Sequence, residues 1–131
     1  MMRVLFHVFL AATLFCMTHS SKSAAQDQSK TRERYMKALK CAASYANAMG
    51  LAHAEGRQAD VQRLMPLMNV LNASMEKLLV EGNISRERMK TDIITIQGEW
   101  QTKINADQAA AIAEINSNIA PGGYCAKTFN R

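Results

Sequence analysis

Two cysteines, Cys41 and Cys125, constrain this chain more than any other feature once an N-terminal leader of about 25 residues is set aside. In an oxidising compartment two remaining cysteines are expected to pair. A crosslink closing so long a loop is worth about 4–5 kcal/mol in the chain-entropy model, and often less in practice. A reactive thiol or a metal site would call for a C-x-x-C or clustered ligands, and neither is present. The expectation is a structural disulfide that ties the C-terminal tail back to the middle of the first helical segment.

The leader is read from its polarity. Arg3 supplies a positive start, Val4 to Met17 is a mostly apolar run, and Ser23-Ala24-Ala25 offers small residues for cleavage before Gln26. The apolar run falls short of the roughly 20 residues that cross a bilayer. Residues 1–25 are therefore expected to be a cleaved signal peptide, and residues 26–131 one exported domain, periplasmic or secreted, with no transmembrane segment. A domain of that size buries only about two-thirds of its unfolded surface, so a covalent tie is useful to it.

Turn signals divide residues 26–131 into three helical segments and a tail, with no strand-like alternation. Over residues 29–49, Tyr35, Leu39, Ala42, Ala46 and Met49 recur at steps of four and three, an alanine-rich face that a neighbour can approach closely. Gly50 is a candidate stop, although nothing before Gly56 breaks the pattern. Over residues 57–81, Val61, Leu64, Met68, Leu71, Met75 and Leu78 form a broad apolar stripe, widened by Met65, Leu67, Val70 and Leu79. Asp60 is the candidate N-cap and Gly82 the stop. Pro66 predicts a kink, or a later start for this helix, because it removes a backbone hydrogen bond and clashes with the preceding turn.

The third segment, residues 86–119, opens on Ser85 as cap, with Ile84 and Met89 at the spacing of a hydrophobic staple. Met89, Ile93, Ile96, Trp100 and Ile104 follow on one face, then Ala111, Ile115 and Ile119. Asn105-Ala106-Asp107 is a weak point where this long helix can bend or split, and Pro121-Gly122-Gly123 ends it. Residues 120–131 are the tail. Short connections favour antiparallel neighbours, so the predicted fold is all-α, an up-down-up three-helix bundle.

The residues needed for chemistry are scarce. With His7 and His19 in the leader, only His53 remains, too little for a Ser-His-Asp or Cys-His site or a common zinc site. No Gly-rich phosphate loop or H-E-x-x-H occurs. Asp92 with Glu99, and Asp107 with Glu114, share helical faces, yet they read as ordinary solvated carboxylates, since glycosidic chemistry needs a cleft. Glu33–Lys37 and Glu99–Lys103 have the order of surface ion pairs. No catalytic residue, metal ligand or cofactor is expected.

Two binding features remain. Loss of Arg3 and Lys22 with the leader takes the basic residues from 16 to 14, against 11 acidic ones. Lys30, Arg32, Arg34, Lys37 and Lys40 crowd the start of the first helix, opposed in sequence only by Glu33. Arg86, Arg88 and Lys90 open the third, opposed only by Glu87. If those helices run parallel, both clusters meet at one end and form a basic pole suited to an acidic partner. No interleaved aromatics point to nucleic acid. The second feature is a Met-rich stripe, Met65, Met68 and Met75 with Trp100, which can fill a core or line a groove for an apolar ligand or partner helix.

Asn72-Ala-Ser and Asn83-Ile-Ser match the glycosylation pattern, which matters only in a eukaryotic secretory pathway. The chain is expected to be a non-catalytic binding protein, such as an inhibitor, an immunity-type protein or an assembly accessory factor. Its expected partner is another exported or envelope protein. A carrier of a small apolar ligand is the alternative, and a small enzyme comes third.

Overall fold

Periodic apolar residues and well-placed terminators carry nearly the whole chain into helix. The computed structural model describes the backbone of residues 2–129 and the side chains of residues 23–129. The signal-peptide expectation lies mostly outside the described side chains, and the last two residues of the tail lie outside the described residues. The elements are α1 (Met2–Ala54), α2 (Gln58–Glu81), α3 (Arg86–Ala106), α4 (Gln108–Ile119) and a short α5 (Tyr124–Phe129). No strand occurs among the described residues. No helix among them is long and apolar enough to cross a membrane.

α1 does not stop at Gly50, as the 29–49 boundary expected, but continues to Ala54. Ala52 is buried and Leu51 half-buried, so the extra turn gains packing that outweighs one exposed glycine. The stop is Gly56 at φ +71°, a left-handed conformation open to glycine at little cost. There the Arg57 N–H donates to the Ala52 carbonyl at 2.8 Å, which satisfies one of the helix's last free acceptors.

α2 runs from Gln58 straight through Pro66, so a later start at Met65–Pro66 is excluded. Pro66 is exposed, which leaves the carbonyl it orphans open to water. Arg57, not Asp60, occupies the N-cap, without a side-chain cap bond. Asp60 sits in the first turn, where it pairs with Arg57 and Arg63. α2 stops at Gly82 as expected; the left-handed residue is the next one, Asn83 (φ +49°), and the Ile84 N–H closes the end on the Leu79 carbonyl at 2.9 Å.

Ser85 caps α3 as its sequence predicts, accepting from the Arg88 N–H at 3.1 Å. The long third helix does split, at Asp107. This residue ends α3 in an extended conformation (φ −155°, ψ 96°) and starts α4, its carboxylate accepting from the Ala110 N–H at 3.0 Å. The tail is not wholly irregular, since α5 forms after Gly122 turns at φ +76°. A Cβ on Gly123 would collide with the carbonyls that end α4.

α1 is the central element, with α2, α3 and α4 packed on it, while α2 and α3 scarcely approach each other. Arg34 on α1 faces Glu81 at the end of α2 (4.0 Å). Tyr35 reaches Asp92 near the start of α3, and Ser44 meets Asn118 at the end of α4. Cys41 and Cys125 are bonded, their Cα atoms 5.6 Å apart, and both sulfurs belong to the buried core.

Tyr35, Ala38, Leu39, Tyr45, Leu64, Leu71, Leu78, Ile96, Trp100 and Ile115 supply most of the rest of that core. On α3 the buried face is displaced from the expected one. Asp92, Ile96 and Trp100 turn inward, whereas Ile93 is 38% exposed.

Candidate functional site

Because α2 and α3 both lean on α1 and scarcely approach each other, an open trough remains between them. Its floor is the alanine face of α1, formed by Leu39, Ala42, Ala43 and Ala46. Met68, Asn72 and Met75 of α2 form one wall, and Ile93, Ile96 and Gln97 of α3 the other. The volume is about 220 Å³. Ala42 and Ala46 belong to the alanine-rich face expected to let a neighbour approach closely, and here they are half-buried at the trough's floor. The salt bridge from Arg86 Nη2 to Glu76 Oε2, 2.9 Å long, joins the two walls towards the α2–α3 connection. Ile94, 73% exposed, carries apolar surface from the α3 wall outward.

The structure brings only part of the expected Met-rich groove together. Met68 and Met75 line the trough. Met65 is half exposed and lines no part of it. Trp100 faces a different cleft, of about 270 Å³, beside the disulfide. That cleft also takes Lys40, Glu99, Lys103, Glu114, Asn118, Tyr124 and Cys125. Lys103 lies 4.8 Å from the Trp100 ring centre and donates to both Glu114 oxygens, at 2.7 and 2.9 Å. Lys103 thus bridges α3 to α4 instead of pairing with Glu99 along its own helix. A carboxylate so engaged is a structural acceptor, and Lys40 and Glu99 in this cleft form no ion pair among the described residues.

The basic end is more nearly neutral than its sequence suggests. Lys37 pairs with Glu33 at 2.6 Å, a contact that raises the lysine's pKa and lowers the glutamate's. Arg34 faces Glu81, Arg86 holds Glu76, Arg88 holds Asp92 and Lys90 lies 3.9 Å from Glu87. Glu76 and Glu81 arrive from α2, which a reading of α1 and α3 alone leaves out. Lys30 and Arg32 form no ion pair among the described residues.

Asp92 is the feature that sequence reasoning missed. Its place on a face with Glu99 predicts a solvated carboxylate, yet it is 8% exposed. Its Oδ2 accepts from the Tyr35 hydroxyl at 3.1 Å, and its Oδ1 from Arg88 Nε at 2.9 Å. Burial and this carboxylate push the Tyr35 pKa up to about 12. The signal was available in Asp92-Ile96-Trp100, a run at steps of four, with Arg88 four residues earlier.

His53 is exposed in the last turn of α1. No group of three or more potential metal ligands forms among the described residues. No family model, curated protein or solved structure matches this chain.

Proposed function

We propose that this protein is a non-catalytic exported binding protein, periplasmic or secreted, that receives an apolar helix of another exported protein in the trough between α2 and α3. The observation that carries the reading is the uncovered alanine floor. Helices α2, α3 and α4 pack on α1 and leave part of its alanine face lining an open trough. Small side chains there let an incoming helix come close, the usual manner in which a groove takes an amphipathic helix. Met68 and Met75 on the wall can adapt to a partner's side chains.

The carrier alternative is less well supported. Pockets for small molecules typically enclose about 300–1,000 Å³, and this trough is smaller and open along its length. The buried disulfide and the short leader run support export, and the neutralised basic end moves the docking surface away from the charged pole.

The test is a photocrosslinking amino acid placed at Ile93 in producing cells, with Val80, 82% exposed on α2, as control. One discrete adduct with a second protein is expected from position 93 and none from position 80. The adduct should vanish in Ala46→Gln, which fills the floor. Equal labelling from both positions, no adduct, or an adduct of two copies of this chain would overturn the reading.

A further inference from the structure

We propose that the cleft at the α2–α3 connection is an oxyanion site, which takes a carboxylate or phosphate group between the guanidinium groups of Arg32 and Arg88. The cleft holds about 230 Å³ and is lined by Arg32, Tyr35, Arg88, Asp92 and the connection Gly82–Ser85. It shares no lining residue with the trough, so it stands independently of the function proposed above.

The argument starts from Arg88. Its Nε is committed to Asp92 Oδ1, and Asp92 is itself held by Tyr35 from α1. The buried carboxylate therefore anchors the guanidinium at the mouth of the cleft. Neither terminal nitrogen of Arg88 has an acceptor among the described residues, so the fork is free for an external oxyanion. Planar bidentate recognition of carboxylate and phosphate is the task arginine suits best. Arg32, on the opposite wall and exposed, has neither a hydrogen bond nor an ion pair among the described residues.

Charge completes the case. Arg34, Lys37, Arg86 and Lys90 are each matched by a glutamate. In the cleft two guanidinium groups stand against one carboxylate, an excess of one positive charge that a monoanion neutralises. The basic pole is thereby narrowed to the two arginines that line one cleft.

Isotope-labelled protein is titrated with inorganic phosphate, and separately with acetate, at constant ionic strength made up with chloride. Saturable shifts are expected at Arg88 Nε–H and at the amides of Asn83 to Ser85. Arg32→Gln, which breaks no contact among the described residues, should weaken binding about tenfold, the scale of one charge-assisted hydrogen bond.

Arg34→Gln should leave binding unchanged. Arg88→Lys, which keeps the charge beside Asp92 and loses the fork, should weaken it as well. Phosphate binding without acetate binding identifies a phosphate-bearing ligand, and acetate binding of similar strength identifies a carboxylate. Shifts that fail to saturate, that chloride reproduces, or that survive Arg32→Gln undiminished would overturn the site.

Discussion

Tyr35 and Asp92, 57 residues apart, meet where α1 and α3 pack, the tyrosine hydroxyl donating to Asp92 Oδ2 at 3.1 Å. Both groups are buried, and Arg88 takes the other carboxylate oxygen. A carboxylate in that position is tolerated because both oxygens are occupied; without partners its burial would be costly. The pair fixes how α3 sits on α1, and hence one wall of the trough and one side of the arginine cleft.

Tyr35→Phe removes the hydroxyl and keeps the ring. It should destabilise the protein by about 1–3 kcal/mol, the range for leaving a buried acceptor without its donor. Urea unfolding measures it, and a double-mutant cycle with Asp92→Ala isolates the pair. Additive losses across that cycle would show that the two residues act separately.

Alkaline pH should act through the same tyrosine. Burial, then the hydrogen bond and charge of Asp92, raise its pKa from 10.0 to about 12. The folded state holds this proton more tightly than the unfolded state, so the associated stability is complete below about pH 10. It is lost as pH rises towards 12. Urea midpoints followed through that window should fall more steeply for the natural protein than for Tyr35→Phe. Parallel curves would mean that Tyr35 titrates normally.

Replacing both Cys41 and Cys125 with serine should cost about 4–5 kcal/mol by the chain-entropy model, with strain or residual unfolded structure lowering the figure. The bond closes a loop across a sequence separation of 84 and crosslinks α5 to α1. The expected outcome is a lower denaturant midpoint together with loss of hydrogen-exchange protection in α5. Protection of α5 that persists in the serine variant would show that Phe129 and its neighbours hold that helix by packing.

Pro66→Ala restores a backbone donor within α2. Because Pro66 is exposed and proline inside a helix is about 3 kcal/mol less favourable than alanine, the variant should be more stable, by up to about that amount. Thermal unfolding decides it. A less stable variant would mean that Leu64 and Leu67 pack as they do only because proline shapes the helix there.

Much of the helical layout was legible in advance. Ser85 as a cap and the break at Asp107 rest on signals within a few residues, and the cysteine pair on setting the leader with Cys16 aside. Gly50 misled because a glycine can end a helix, and only the packing of Leu51 and Ala52 tells whether it does. The charged end misled for a different reason. Its neutralising partners Glu76 and Glu81 lie on the one helix that showed no basic cluster, so counting along α1 and α3 overstated the field. Trp100 was assigned to the methionine stripe by chemistry alone, whereas the rotation of α3 about its axis sends it to the other side.

From its residues alone, this chain determines that it is helical, that Ser85 caps one helix, that the long third segment breaks at Asp107, and that Cys41 and Cys125 can bond once the leader is set aside. Those are properties of neighbours along the backbone, governed by φ, by missing N–H groups and by periodicity. The tertiary structure decided that α2 and α3 scarcely approach each other beside the alanine face of α1, that Asp92 is buried, and that Arg32 and the Arg88 fork have no partner among the described residues. Each of those depends on how helices rotate and lean when their side chains interlock, which involves residues tens of positions apart and leaves no periodic trace in the chain.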